Sequence, residues 1–205
     1  MKKIICYGDS NTYGFNPYTM GRYENNERWT GILSEYLCGF EILEEGMNNR
    51  LGFFESPDGF EYSGKKYLPV LLNNIKDFDI FILALGTNDL QFFYNLDEQT
   101  TFSGLTDLLG IIKNVNSSSK IIIIPPVKIN EDILNGFFVN QFDKKSIERV
   151  NNVFHTFREV AQLNNCYYYD FNEIVKPSNK DGLHYTKESH RIIAKNLAEY
   201  IKKIA

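Results

Sequence analysis

Three short stretches carry the residue types that acyl-transfer chemistry requires. Gly8-Asp9-Ser10-Asn11 presents a hydroxyl after a turn-forming glycine. Gly86-Thr87-Asn88-Asp89 presents a side-chain amide, and Asp181-Gly182-Leu183-His184 presents an imidazole with a carboxylate three residues before it. That last spacing lets Asp181 bond one ring nitrogen and hold the tautomer while the other nitrogen faces a nucleophile. The Asn88 amide can donate to an oxyanion. Taken singly, the first two stretches also read as plain strand-to-loop turns and the third as a capped helix start. Together they supply a nucleophile, an oxyanion donor, a base and a base-orienting acid, which is a full set for attack on an ester carbonyl. The other histidines, His155 and His190, fall inside helical patterns, where solvated or partly buried roles are expected.

The elements that must bring these stretches together follow from hydrophobic periodicity. Nearly continuous apolar runs over 3–8, 40–45, 80–85, 120–124 and 166–170 read as strands, most of them covered on both faces. Between them, Trp29, Ile32, Leu33, Tyr36 and Leu37 recur at helical spacing, with Gly39 as a stop. Phe102, Leu105, Leu109 and Ile112 form a second helical face. Ile147, Val150, Phe154, Phe157 and Ala161 form a third, with Asp143 as N-cap. The last helix carries Ile192, Ile193, Leu197, Ile201 and Ile204 behind Thr186. Another is predicted over 67–75, with Pro69 tolerable only near its first turn. Strand–helix alternation implies right-handed crossovers and a doubly wound parallel sheet, whose ligands sit beyond the C-terminal strand ends. Each chemistry-bearing stretch lies after a predicted strand or before the last helix, so all three fall on that edge. Two long segments, 47–65 and 126–143, show no regular pattern, and loops of such length are more often functional than idle.

Composition narrows the alternatives. At 205 residues the chain fits one domain and buries a core without disulfides or metal. The net charge of −4 and the absence of basic clusters argue against nucleic-acid binding. Three widely spaced cysteines, Cys6, Cys38 and Cys166, read as reduced, buried thiols of a cytoplasmic protein, and no CxxC pair suggests a metal site. No stretch has the length of a membrane span, and the apolar run after Lys3 is too short for a signal peptide.

With these motifs in place, the sequence resembles the SGNH (GDSL) hydrolase family. Its four blocks match Gly8-Asp9-Ser10, Gly46, Gly86-Thr87-Asn88-Asp89 and Asp181-Gly182-Leu183-His184, in the family's order and across nearly the whole chain. The stretches Arg28-Trp29-Thr30-Gly31, Glu44-Glu45-Gly46, Tyr67-Leu68-Pro69 and His184-Tyr185-Thr186 are similar to the bacterial arylesterase and acyltransferase (perhydrolase-like) branch. The resemblance implies a single α/β domain over 1–205, built as a three-layer α/β/α sandwich on a five-stranded parallel, flavodoxin-like sheet. It implies a serine esterase acting on short-chain, small-molecule esters through an acyl-enzyme, with acyl transfer where another acceptor outcompetes water. Ser10, His184 and Asp181 would form the triad. The backbone N–H groups of Ser10 and Gly46 and the Asn88 side chain would form the oxyanion hole, with no metal or cofactor. Asp9 and Asp89 would hold the surrounding loops. Tyr13 and Phe15 would either line the pocket or pack the core. Branch members often form homo-oligomers, with the loop after the fourth strand shaping the pocket, which draws attention to Phe137, Phe138 and Phe142.

Two departures stand out: Asn11 where the family name has leucine, bearing on specificity, and Met47-Asn48-Asn49 after the second block. The α/β-hydrolase alternative lacks its G-x-S-x-G elbow here, since Thr12 takes the second glycine position. Carbohydrate O-acetylesterase, thioesterase and lysophospholipase activities fit the same triad. A non-catalytic flavodoxin-like binding module would leave Asn88, Asp181 and His184 without a shared purpose.

Overall fold

Five strands and six helices account for the predicted alternation in a computed structural model that describes residues 1–205. The strands β1 (Lys2–Gly8), β2 (Phe40–Gly46), β3 (Ile80–Ala84), β4 (Lys120–Ile123) and β5 (Tyr167–Tyr168) pair in parallel in the order β2-β1-β3-β4-β5. Parallel neighbours need crossovers, and these are supplied by α1 (Ser10–Tyr13), α2 (Trp29–Tyr36), α3 (Gly64–Asn74), α4 (Glu98–Val115) and α5 (Lys144–Leu163), with α6 (Lys187–Ile204) closing the chain. α2 packs on α6, while α4 packs on both α3 and α5, giving the helical layers that sandwich the sheet. The central strands carry Ile4, Ile5, Phe81, Ile82, Ile122 and Ile123, all fully buried, whereas edge strand β2 is half-buried along its length and tolerates Glu41, Glu44 and Glu45. The order reverses between β1 and β3, and that switch point is where an open α/β sheet leaves a crevice.

Local capping explains where the helices begin. Asp143 accepts from the Ser146 N–H at 2.8 Å while Ser146 Oγ accepts from the Asp143 N–H at 3.2 Å, a reciprocal box. Thr186 Oγ1 accepts from the Ser189 N–H and Asp97 from the Thr100 N–H, so α6 and α4 start where their first orphan donors find acceptors. No helix is long and apolar enough to cross a membrane.

Several local expectations are corrected. α3 begins at Gly64, so Pro69 lies in its second turn rather than its first. β5 shrinks to two residues because Phe171–Glu173 turns into a 3₁₀ segment capped by Asp170. Of the thiols only Cys6 is buried; Cys38 is exposed and Cys166 intermediate.

His190 is completely buried rather than solvated or partly buried. Its Nδ1 accepts the Trp29 N–H at 3.2 Å, and the rings of Tyr23 and Tyr185 meet it edge-on. Burial, with smaller contributions from His184 and Arg28, pushes its pKa down to about 3. The folded chain therefore keeps this ring neutral while the unfolded chain protonates it near its ordinary pKa. The stability it supports is present above the unfolded value and lost as pH falls toward the folded one. Between pH 7 and pH 5 this group alone should cost about 2 kcal/mol, at ~1.4 kcal/mol per pH unit below the unfolded pKa. His190→Asn, which keeps an acceptor for the Trp29 N–H, should flatten that dependence. Urea midpoints at the two pH values check it, and equal slopes in both proteins would refute it.

Candidate active site

At the switch point, β1 ends in Gly8 and the chain turns at once into α1. Asp9 caps this turn by accepting the Asn11 N–H at 2.9 Å, which delivers Ser10 as its first residue. Burial raises the Asp9 pKa against the lowering effect of the Asn11 N–H and the Thr87 hydroxyl. As the first helical residue, Ser10 keeps a backbone N–H with no intrahelical acceptor.

From the far end of the chain, the loop before α6 brings His184 to Ser10. His184 Nε2 lies 2.8 Å from Ser10 Oγ, and His184 Nδ1 lies 2.7 Å from Asp181 Oδ2. The other Asp181 oxygen accepts the backbone N–H groups of Leu183 and His184, both at 3.0 Å. Burial works to raise the Asp181 pKa, but the His184 hydrogen bond and charge together with those two N–H groups outweigh it and hold the carboxyl below its ordinary value. A carboxylate only accepts, so Nδ1 carries the proton and Nε2 is left to accept from the Ser10 hydroxyl. All three side chains are buried. Phe15 packs against the His184 ring at 4.3 Å between centroids and Phe138 at 5.3 Å, fixing its plane.

A cavity of about 220 Å³ opens beside this arrangement, lined by Ser10, Phe15, Asn48, Asn49, Asn88, Phe138, Gln141, Leu183 and His184. A larger cleft of about 320 Å³ at the opposite sheet edge, beside Lys3 and Lys120, shares none of these residues. Asn88 follows β3. Its Nδ2 donates to the Arg50 carbonyl at 3.1 Å, which leaves its second amide hydrogen free. Asp89 faces the other way and accepts the N–H groups of Gly52, Phe53 and Phe54, pinning the chain after β2. Burial nevertheless pushes its carboxyl up to about 6.

Ser10, Asn88, Asp181 and His184 thus converge, and Asp9 and Asp89 hold the loops beneath them. Gly46 does not line the cavity. A Cβ there would lie 2.2 Å from the Tyr13 nitrogen, so this glycine lets the α1 backbone rest on the end of β2. The cavity wall from this segment is Asn48 and Asn49, whose backbone N–H groups donate to nothing in the chain, and Asn49 is left-handed at φ 60°. Neither asparagine carries a sequence signal beyond turn propensity. Tyr13 also lies outside the cavity, with its ring 4.5 Å from the Arg22 guanidinium. The phenylalanines of the 126–143 loop divide: Phe138 lines the cavity, Phe142 is buried in the core and Phe137 is exposed. No group of three or more His, Cys, Asp or Glu side chains is gathered as a metal site.

Residues 4–197 match the GDSL-like lipase/acylhydrolase family. The fold is similar to that of an inhibitor-bound aryl esterase from M. smegmatis (TM-score 0.92, 23% identity, all of both chains covered). It is also similar to a carbohydrate acetylesterase from Sinorhizobium meliloti (TM-score 0.93, 21% identity, all of both chains covered). At these identities the likeness shows the fold. No curated protein matches the chain by sequence.

Proposed function

Because this chain belongs to the GDSL-like lipase/acylhydrolase family and is an ester-hydrolysing serine hydrolase, we propose that it cleaves short-chain carboxylic esters through a Ser10–His184–Asp181 triad. The observation that carries this reading is the continuous hydrogen-bonded chain from Ser10 Oγ through the imidazole to Asp181, at 2.8 and 2.7 Å. Neutral His184 takes the Ser10 proton at Nε2 as Oγ attacks the ester carbonyl, and Asp181 stabilises the imidazolium that forms. His184 then returns the proton to the departing alcohol, leaving an acyl group on Ser10. Water, deprotonated by the same imidazole, releases the acid and regenerates the hydroxyl.

The oxyanion donors are the Ser10 N–H, the free hydrogen of the Asn88 amide and the Asn49 N–H. Asn49 takes the place expected for Gly46 in this reading because, like Asn48 and unlike Gly46, it lines the cavity with an unused donor. The short-acyl preference follows from volume. A cavity of about 220 Å³ is smaller than the roughly 300–1,000 Å³ of pockets for drug-sized ligands, which disfavours long acyl chains. A second reading, acetyl esters of carbohydrates, is favoured by the amides of Asn48, Asn49 and Gln141 set beside the Phe15 and Phe138 rings. Amides pair with hydroxyls and ring faces cover C–H surfaces. The S. meliloti carbohydrate acetylesterase of the same fold is consistent with it.

A fluorophosphonate should add its mass at Ser10, and kcat/KM over a series of aryl esters should fall from acetate to decanoate. A folded protein that leaves Ser10 unlabelled sinks the triad, and a preference rising toward decanoate sinks the short-acyl claim.

A further inference from the structure

Asn11 follows the serine directly, and none of its contacts enters the mechanism above. It is buried, with 8% of its surface exposed. Its Oδ1 accepts the Tyr185 N–H at 3.1 Å, and its Nδ2 donates to the Leu183 carbonyl at 3.2 Å. Those are the residues immediately before and after His184. One side-chain amide therefore grips the backbone on both sides of the imidazole-bearing residue, across more than 170 positions of sequence.

Asn11 is itself immobilised. Its N–H donates to Asp9 at 2.9 Å, and its carbonyl accepts the Trp29 indole N–H at 3.0 Å. The grip needs a donor and an acceptor about one amide apart, which asparagine supplies. Leucine supplies neither and aspartate supplies only acceptors. Asp181 orients the ring within its own loop, since it lies three residues from His184 and bonds that same loop. The Asn11 side chain, by contrast, joins the serine turn directly to the loop that carries His184.

We propose that Asn11 is a positioning residue that sets the Ser10 Oγ to His184 Nε2 separation by clamping the Leu183 carbonyl and the Tyr185 N–H. This rests on the triad reading above. The distance matters because a displacement of order 1 Å between reacting groups can cost about 10²-fold in rate. Binding of the ester depends on Phe15, Phe138, Gln141 and the asparagines of the cavity, which Asn11 does not join. Its loss should therefore appear in kcat and leave KM largely alone.

The test uses Asn11→Leu, which removes both bonds, and Asn11→Asp, which keeps an acceptor for Tyr185 and sets a carboxylate oxygen against the Leu183 carbonyl. For each folded variant, kcat and KM on an aryl acetate and the rate of fluorophosphonate labelling of Ser10 are measured beside the wild type. The expected result is a fall in kcat of about 10- to 100-fold for Asn11→Leu, KM within about threefold, and labelling slowed in parallel with kcat. A variant with lowered melting temperature but wild-type kcat and labelling rate overturns the proposal, because Asn11 would then only stabilise the fold. Loss of the folded state in both variants overturns it as well, assigning Asn11 to packing. A wild-type protein that neither turns over esters nor takes the label refutes the triad itself, an outcome distinct from an unaffected Asn11 variant in an active enzyme.

Discussion

Ser10→Ala and His184→Ala should each lower kcat on a short aryl acetate by roughly three orders of magnitude or more, and the double variant should be scarcely worse than either alone. The reason is geometric. The Ser10 hydroxyl is a weak nucleophile unless its proton leaves as the bond to the acyl carbon forms, and the one acceptor placed to take it is His184 Nε2 at 2.8 Å. Removing the imidazole leaves a hydroxyl without a base, and removing the hydroxyl leaves a base without a nucleophile. The two losses describe one interrupted step, so their free energies do not add. The oxyanion donors survive both changes and supply the residual rate. Stability should barely move for Ser10→Ala, because the small buried hydroxyl gives up one hydrogen bond whose partner, His184, keeps its bond to Asp181. Steady-state kinetics on purified, folded variants decide it. Turnover close to wild type from a folded Ser10→Ala protein refutes the triad, and losses that multiply in the double variant refute the shared step.

The second large effect is on stability and belongs to Arg50. Only 2% of it is exposed, and no carboxylate forms an ion pair with it. Its guanidinium is satisfied by backbone instead. Nη1 donates to the Gly8 carbonyl at 3.1 Å and the Glu45 carbonyl at 2.5 Å, and Nε donates to the Glu61 carbonyl at 3.2 Å. The rings of Tyr7 and Tyr67 lie 4.5 and 5.2 Å from its centre. One side chain thus ties the ends of β1 and β2 to the 47–63 loop, directly under the serine turn. Arg50→Met keeps the apolar stem and removes every donor. Each charged hydrogen bond is worth about 1.5–3 kcal/mol, and part of that total is returned because a buried charge no longer needs burying. The net loss should be about 3 kcal/mol, or roughly 6–12 °C in Tm for a chain of this size. Arg50→Lys should recover only part of it, since an ammonium cannot reproduce the planar fork. Thermal and urea unfolding of the three proteins measure it, and a wild-type Tm for Arg50→Met would contradict it.

Local signals were readable wherever the physics is local. The Asp143 box and the Thr186 cap depend on donors and acceptors three residues apart, and both helices start where those residues predict. The central strands were legible because burial on both faces demands unbroken apolar runs such as Ile121-Ile122-Ile123. The Asp181–His184 pair was legible for the same reason, because three residues of one loop decide it. Expectations went astray where a neighbour distant in sequence decides. Gly46 reads from the sequence as a donor beside the serine, yet a Cβ there would lie 2.2 Å from the Tyr13 nitrogen, and Asn48 and Asn49, not Gly46, line the cavity. Asn11 reads from the sequence only as a departure bearing on specificity, and the approach of residues 183–185 is what reveals the clamp. His190 shows helical spacing alone, and its complete burial comes from α2 lying across α6.

From its sequence alone, then, this protein's reaction chemistry and layer order were determined, because residue type and short-range spacing dictate turns, caps and apolar faces. Which backbone amide faces the cavity, and what holds the serine and the histidine at hydrogen-bonding distance, was decided only by tertiary packing. Those contacts join segments more than 170 residues apart, and no local rule reports which surfaces of a folded chain will touch.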